Sequence, residues 1–318
     1  TLLVDMYFNP LMTAKAAAQT GLKAIISIGV FDFNDSAMRD EMIKSIEEYL
    51  FKVKIYEPKI IGSIGPHAPY TCSEELLLKC KDIAERENRL IHMHLAETLE
   101  EQVKFEEKYG KREVEFLDNL DFLSSNVIAA HCVWLNKNEI RILSEHNVKI
   151  SHCPISNLKL AIGGVLPLSE CLKNNVTISL GTDSAASNNS LNMFEVMKYC
   201  ALIHKHHTLD PSIAPANLIF DFATINGAKA TNYVNSLGKI VENAPADLVL
   251  LNANSPNIMP IHSEKSVYSN IVYSNISSSN IYQVIIDGEI VCLNGKLTKI
   301  DETRIYHDIN KVIKDLFC

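Results

Sequence analysis

Two residues suited to catalysis, His94 and Glu97, lie three positions apart in the segment IHMHLAET, residues 91–98. The first half of this segment alternates between apolar and polar residues, which predicts a buried strand. Thr98 and Glu101 have the spacing of a capping box, so a helix should begin directly after Thr98. The imidazole and the carboxylate would then lie at the end of a strand, as a metal ligand beside a proton-transfer group. The competing interpretation is a buried histidine and a glutamate that only favours the helix dipole.

The same arrangement recurs, because other polar residues also follow short apolar runs. Predicted strands cover residues 1–8, 22–30, 59–65, 89–95, 126–130, 148–151 and 177–181. The polar residues at their ends are His67, His94, Glu97, His131, His152 and Asp183. Helical patterns separate the strands, among them residues 99–117 and 165–174. Strand and helix patterns alternate seven times, which predicts a parallel sheet. Because candidate functional groups lie on many of the strands, a (β/α)8 barrel is favoured over a doubly wound sheet.

The predicted barrel has seven visible strands where eight are needed, so we expect its first strand to precede Thr1. The chain would then be the remainder of a longer protein. Further on, residues 238–252 and 281–299 are rich in Ile, Val and Leu, and Asp287-Gly288 predicts a hairpin. We therefore expect three parts. They are a barrel lacking its first strand (residues 1–236), a small β-sandwich portion (237–300) and a C-terminal helix (301–318).

Composition narrows the class of protein. The chain has 318 residues and a net charge of −8, and without a long basic run we expect neither nucleic acid nor a membrane as a partner. Its 8 cysteines include no Cys-x-x-Cys pair, which argues against a disulfide framework or a cysteine-rich zinc site. A reduced, cytoplasmic setting fits this pattern. We see no apolar run long enough for a membrane span and no signal peptide.

A hydrolytic metal site would use the polar residues at the strand ends. Such a zinc site needs about three or four nitrogen or oxygen ligands and one open position for water. His94 and Asp183 are suitable ligands, and Glu97, His131 and Asp183 are suitable proton-transfer groups. Each also has a structural interpretation, since His131 could be a packed histidine and Asp183 a helix cap. Several such residues at strand ends together favour the functional interpretation.

Seven segments match a known family in order. They are VDMYF (4–8), GPHAPY (65–70), HLAET (94–98), AHCV (130–133), SHCP (151–154), SNLKL (156–160) and GTDSAASNNSLNM (181–193). On these segments the chain resembles the amidohydrolase superfamily, and within it the 5-methylthioadenosine/S-adenosylhomocysteine deaminases. The resemblance extends over essentially the whole chain.

The resemblance implies a role for five residues. His94 matches a zinc ligand, and Asp183 matches a second ligand that also orients the hydrolytic water. Glu97 matches the carboxylate that carries a proton to the purine ring nitrogen, and His131 the histidine that polarises the water. His67 matches a histidine that contacts the substrate, which Glu97 and Asp183 would also contact. The implied reaction is attack by zinc-bound hydroxide on C6 of adenine with release of ammonia.

The chain also departs from the family pattern. The family's first strand supplies two further zinc ligands in a His-x-His pair, and this chain starts after that point. His92 with His94 is not a substitute, because strand alternation places His92 one layer deeper, as a packing residue. Arg39 could contact the carboxylate of S-adenosylhomocysteine, but we expect it on the solvated surface.

These observations predict a zinc-dependent deaminase of adenine nucleosides, with one Zn²⁺ per subunit, although another divalent metal would also accept these ligands. The expected partner is a small nucleoside, and the resemblance implies that copies of the chain can associate. One alternative is another amidohydrolase, such as a guanine deaminase or a triazine-type hydrolase, because a fold does not choose its substrate. A second alternative is a nucleoside-binding protein that has lost catalysis.

Overall fold

The computed structural model describes residues 1–231 and 237–317, and its central feature is a parallel sheet of seven strands. The strands pair in chain order, each with the next. They are β1 (Leu2–Tyr7), β2 (Lys23–Val30), β3 (Ile60–Pro66), β4 (Ile91–Leu95), β5 (Val127–His131), β6 (Lys149–His152) and β7 (Ile178–Leu180). Parallel strands that pair in chain order, with helices between successive strands, confirm the predicted (β/α) barrel architecture. Within the described residues, β1 and β7 are the edges of this sheet.

Helices connect the strands and cover one face of the sheet. Those before β7 are α1 (Pro10–Thr20), α2 (Ser36–Val53), α3 (Glu74–Arg86), α4 (Leu99–Tyr109), α5 (Glu113–Asn119), α6 (Lys137–Glu145), α7 (Pro154–Lys159) and α8 (Leu168–Lys173). Those after it are α9 (Ala185–Asn188), α10 (Met193–Thr208), α11 (Ala216–Ala223), α12 (Ile225–Ala230), α13 (Glu264–Tyr273) and α14 (Glu302–Phe317). No helix within the described ranges has both the length and the apolar character that crossing a bilayer requires.

The main core lies between the strands and these helices. Fully buried side chains such as Ile26, Ile64 and Met93 on the strands belong to one apolar cluster with Leu76 of α3 and Phe122 of the loop after α5. Strands buried on both faces read as nearly continuous apolar runs, which explains why β2 has the sequence KAIISIGV. Each fully buried side chain of this size stabilises the fold by about 1.5–3 kcal/mol. This packing gives the strand ends a rigid support.

Two local predictions need correction. The helix expected over residues 99–117 is two helices, because Gly110 adopts a left-handed conformation with φ 66° and ends α4. The predicted capping box of Thr98 and Glu101 is present at its start. The helix expected over residues 165–174 begins only at Leu168, after Pro167.

The C-terminal part contains a four-stranded antiparallel sheet of β8 (Leu248–Leu251), β9 (Ile281–Ile286), β10 (Glu289–Leu293) and β11 (Lys296–Leu297). The hairpin predicted at Asp287-Gly288 joins β9 to β10, and both residues have positive φ as such a turn requires. Of the apolar residues 238–252, only the last few form a strand. The division into three parts stays a prediction, and its first boundary falls at residues 232–236, outside the described residues.

A buried ion pair joins this small sheet to the barrel. Lys23 at the start of β2 lies 2.7 Å from Asp247 and 2.6 Å from Asp287. The side chains of Lys23 and Asp247 are 9% and 4% exposed. The hydrogen bonds to the two carboxylates outweigh the effect of burial and raise the pKa of Lys23. The ammonium group therefore stays charged at the contact.

Candidate active site

Four of the five predicted site residues lie at the carboxyl ends of neighbouring strands. His67 follows β3, His94 lies in β4, and His131 ends β5. The ring centres of His67 and His94 are 4.9 Å apart, and those of His94 and His131 are 5.5 Å apart. Glu97 follows β4 in the same region. The structure thus brings these side chains together, as expected for residues at one end of a parallel barrel.

His94 has one ring nitrogen fixed by the backbone. Its Nδ1 donates to the carbonyl oxygen of His67 at 2.8 Å, which leaves the lone pair of Nε2 available. Burial and the neighbouring His131 ring lower the pKa of His94, so the imidazole is neutral. A neutral imidazole whose second nitrogen donates to a carbonyl is the usual state of a metal-bound histidine.

His131 faces Glu97. Its Nε2 lies 3.8 Å from Oε2 of Glu97, and the histidine is 2% exposed. Its Nδ1 lies 2.9 Å from Oδ1 of Asn157 on α7. Because an amide oxygen only accepts, Nδ1 carries the proton and Nε2 is left as an acceptor towards Glu97. At 3.8 Å the two groups are too far apart for a direct hydrogen bond, so a proton can move between them through one water molecule.

Asp183 follows β7 in a loop of small polar residues. Its Oδ2 accepts from the hydroxyls of Ser156 at 2.5 Å and Ser187 at 2.7 Å, and Oδ1 accepts from the amide of Ser184 at 2.7 Å. Burial alone would raise the pKa of Asp183, but these hydrogen bonds outweigh it and the pKa is lowered. Asp183 is thus a fixed carboxylate, with φ 58°, and it interacts electrostatically with His94 and His131.

His67 is held by its own loop. Thr71 Oγ1 donates to the carbonyl of Ala68, so the 3.0 Å contact between Thr71 Oγ1 and His67 Nδ1 is donated by the ring. Burial, with a smaller contribution from the nearby His94 ring, lowers the pKa of His67 to about 4. Its free Nε2 is therefore an uncharged acceptor.

A cavity of about 280 Å³ opens beside Glu97. It is lined by Tyr70, Glu97, Thr98, Glu100, Glu101 and Lys104. A larger surface groove of about 660 Å³ lies at Leu11, Phe51 and Ile55, but it contains none of the predicted site residues. Proximity to acid–base groups, rather than volume, identifies the cavity at Glu97 as the candidate substrate entrance.

The loop that carries Glu97 is held from beneath by α5. Ala96 has φ 51°, and its amide donates to Oε2 of the fully buried Glu113 at 2.9 Å. The side-chain amide of Gln102 donates to the same oxygen at 2.8 Å. Burial, followed by the neighbouring carboxylate of Glu101, raises the pKa of Glu113 well above its usual value. Glu113 is thus an uncharged carboxylic acid that positions the loop.

Four residues that orient the predicted site residues were not themselves predicted from the sequence. Asn157, Ser156 and Ser187 hold His131 and Asp183, and Glu113 holds the loop before Glu97. Three of them lie in segments that match the family: Ser156 and Asn157 in SNLKL, which begins four residues after β6 ends at His152, and Ser187 in GTDSAASNNSLNM. Asn157 is on the short helix α7, which Pro154 begins.

Two other histidines have different surroundings. His152, one of the polar residues at strand ends, lies next to His204 of α10, with 3.3 Å between their Nε2 atoms. The ring of His92 stacks 6.5 Å from that of His94, and Nδ1 of His92 is buried without a hydrogen-bond partner in the described residues.

The donor set suits a divalent metal ion in part. His94 offers Nε2 with its second nitrogen already fixed, and Asp183 offers a carboxylate held in the charged form. Across residues 1–231 and 237–317, no third histidine, cysteine or carboxylate joins these two in a cluster as compact as 4.8 Å. His94 and Asp183 therefore fit as two ligands of a larger set.

Comparison with known proteins defines the class. A model of the amidohydrolase family matches residues 1–291, and the chain belongs to this family. It is 42% identical over 316 residues to the 5'-deoxyadenosine deaminase of Methanopyrus kandleri, covering 99% of this chain and 72% of that protein. It is 43% identical over 294 residues to the 5-methylthioadenosine/S-adenosylhomocysteine deaminase of Thermococcus sibiricus, covering 92% and 68%.

The fold agrees with this assignment. A crystal structure of an adenosine deaminase from Xanthomonas campestris with bound zinc superposes with a TM-score of 0.91 and 28% identity. The match covers 98% of this chain and 70% of that chain. The predicted family and fold are thereby confirmed.

Proposed function

We propose that this amidohydrolase removes the 6-amino group of adenine nucleosides by hydrolysis. The observation that carries the proposal is the contact between Glu97 and His131 beside His94, at the ends of adjacent strands β4 and β5. Purine deamination needs a group that takes a proton from water and returns it to the ring, and this pair can do so. The two relatives of about 42% identity are both named for adenine nucleosides.

We infer that zinc is the metal, with His94 and Asp183 among its ligands and further ligands from outside the described residues. When bound, a divalent ion would lower the pKa of a water molecule towards ~7. The zinc in the adenosine deaminase from Xanthomonas campestris supports this choice.

The remaining steps belong to the side chains. Nε2 of His131 accepts a hydrogen bond from the attacking water, because Asn157 holds the proton on Nδ1. Glu97 takes a proton from that water and delivers it to N1 of the adenine ring. Asp183 orients the water through a carboxylate that Ser156 and Ser187 hold in place, and the free Nε2 of His67 accepts from the substrate. The C6–O bond is then in place, and the oxygen gives its remaining proton, through Asp183, to the amino group. The C6–N bond breaks, ammonia leaves, and the product is the hypoxanthine nucleoside.

Arg39 argues for an uncharged group at the 5' position of the ribose. The expectation that Arg39 lies on the solvated surface is wrong, since its Nε donates to the fully buried Asp32 at 2.9 Å and to Ser73 at 3.0 Å. Its Nη2 also lies 3.4 Å from Glu75. The guanidinium is already neutralised, so it is a poor partner for the carboxylate of S-adenosylhomocysteine.

A substrate panel on the complete protein tests the proposal. We expect the highest kcat/KM for 5'-methylthioadenosine and 5'-deoxyadenosine, and a lower value for S-adenosylhomocysteine, with ammonia release as the readout. Turnover of guanine or a chlorotriazine without turnover of adenine nucleosides would replace the proposed substrate class. Nucleoside binding without ammonia release would favour the binding-protein alternative.

We also propose a reducing compartment such as the cytoplasm, which is supported by seven free cysteines in the described part of the chain. Association between copies of the chain stays a prediction, and sedimentation of the complete protein would measure it.

A further inference from the structure

A second cluster of metal-ligating side chains lies apart from the proposed catalytic residues. His152 ends β6, and Cys200 and His204 lie one helical turn apart on α10. One ligand atom from each falls within 4.8 Å of the other two. His152, Cys200 and His204 are 1%, 0% and 1% exposed. We call these three residues the α10 cluster.

The distance between the two imidazoles fits ligands better than a hydrogen bond. Nε2 of His152 and Nε2 of His204 are 3.3 Å apart. Hydrogen bonds donated by nitrogen usually measure about 2.7–3.2 Å, so 3.3 Å is long for a direct bond. Two nitrogens bound tetrahedrally at about 2.0–2.1 Å from zinc are about 3.3–3.4 Å apart. The facing nitrogens therefore already have the separation that a shared zinc ion would require.

The protonation states also suit a metal ion. Burial lowers the pKa of His204 to about 4 and lowers the pKa of His152 well below its usual value, so both rings are neutral and offer lone pairs. Burial raises the pKa of the Cys200 thiol, so an ion must displace its proton to bind the sulfur.

We propose that the α10 cluster binds a zinc ion through Nε2 of His152, Sγ of Cys200 and Nε2 of His204. Binding forms two zinc–nitrogen bonds and one zinc–sulfur bond, and the thiol proton of Cys200 passes to solvent. Cysteine and histidine at positions i and i+4 of one helix, joined by a histidine from a strand, are donors that zinc prefers.

Such an ion would stabilise the segment that positions two of the proposed active-site residues. His152 is followed by Cys153 and by α7, which carries Ser156 and Asn157, the partners of Asp183 and His131. The ion would tie this segment to the long helix α10. The proposal does not depend on the proposed reaction, because none of its ligands takes part in the deamination.

Cobalt substitution distinguishes this site from the catalytic donors. The complete protein is refolded with Co²⁺, and we expect a near-ultraviolet thiolate-to-cobalt charge-transfer band, since Cys200 is a ligand. Cys200→Ala and Cys200→Ser should remove the band, and His204→Gln should weaken it. Cys171→Ala, at another fully buried cysteine, should leave it unchanged.

Zinc content gives an independent measurement. Purified Cys200→Ser should hold about one zinc ion per chain less than the unaltered protein. The proposal would be overturned if the unaltered protein showed no charge-transfer band and Cys200→Ser held as much zinc as the unaltered protein. The 3.3 Å separation of the two imidazoles would then be a long contact without a metal ion. Loss of the band in Cys153→Ala rather than in Cys200→Ser would also overturn it, because the sulfur ligand would then be Cys153, which lies closer to Asp183. Circular dichroism of each variant confirms that it is folded.

Discussion

At the scale of single residues, the proposed chemistry depends on side chains held in one protonation state. His94, His131 and Asp183 are each fixed by a partner that leaves one atom free: the His67 carbonyl, the Asn157 amide and the serine hydroxyls. Partners of this kind keep the reacting group both oriented and correctly protonated. They are therefore as informative about the proposed reaction as the residues that contact substrate.

Asn157 provides the first prediction. In Asn157→Ala, the Nδ1 proton of His131 loses its acceptor, so the ring is free to rotate or to change tautomer. We expect kcat to fall about 10–100-fold, with a smaller change in KM. Asn157→Asp restores an acceptor for the Nδ1 proton and should recover part of kcat. Equal kcat in all three proteins would contradict this role for Asn157.

The strand-end residues could be predicted from sequence, and their partners could not. Periodicity locates the strands to within a few residues, so His67, His94, His131 and Asp183 follow from it. The contacts of Asn157 with His131, 26 positions apart, and of Glu113 with Ala96, 17 positions apart, depend on packing in three dimensions. Arg39 was misjudged for the same reason, because its charge partner Asp32 becomes buried only in the fold.

At the scale of elements, α5 supports the loop after β4 through an uncharged acid. A carboxylic acid with a raised pKa keeps its proton in the folded state, whereas it loses the proton near pH 4.5 in the unfolded chain. The folded state then binds more protons, so this group makes stability fall as pH rises above that value. The slope is at most about 1.4 kcal/mol per pH unit.

Glu113→Gln tests this argument. The amide can accept from Ala96 and donate to Glu101, as the protonated acid does, but it cannot ionise. We expect the melting temperature of the variant, relative to the unaltered protein, to increase steadily from pH 5 to pH 8. Glu113→Ala leaves the Ala96 amide unpaired and should lose about 1–3 kcal/mol at each pH. A melting-temperature difference for Glu113→Gln that does not change with pH would contradict an uncharged Glu113.

The element predictions failed where a local signal was weak. Gly110 ends α4 by adopting a left-handed conformation. The spacing of polar and apolar residues over 99–117 nevertheless has helical periodicity on both sides of Gly110. Helix α13 is short, contains three serine or asparagine residues and was not predicted. Its position is set by packing on α10 and α11 rather than by its own sequence.

At the scale of the whole molecule, the contact of Lys23 with Asp247 and Asp287 joins the barrel to the small antiparallel sheet. Removing one partner of a buried ion pair leaves an unpaired charge, at a cost of about 3–5 kcal/mol. We expect Lys23→Met to lower the free energy of unfolding by about 3 kcal/mol, as measured by chemical denaturation. Lys59→Met is a matched control, because Lys59 lies 3.8 Å from Asp287 at a more exposed position. Equal stability of the two variants would contradict a structural role for this contact.

The architecture was the most predictable feature. Seven alternations of strand and helix sufficed for a parallel barrel, because parallel strands need long crossover connections and their residue patterns differ clearly from those of helices. The small antiparallel sheet was less predictable beyond the hairpin at Asp287-Gly288. Residues 238–247 form no strand among the described residues, since only Leu248–Leu251 pairs with β9.

The central claim is that Glu97 transfers the proton in deamination of an adenine nucleoside. The most direct test is the rate of ammonia release from 5'-methylthioadenosine by the complete protein and by Glu97→Gln, with Glu100→Gln as a control that lines the same cavity. We predict that Glu97→Gln lowers kcat by about 10²–10⁴-fold while its melting temperature is unchanged, and that Glu100→Gln keeps nearly full activity. Ammonia release by Glu97→Gln at the rate of the unaltered protein would contradict the assignment.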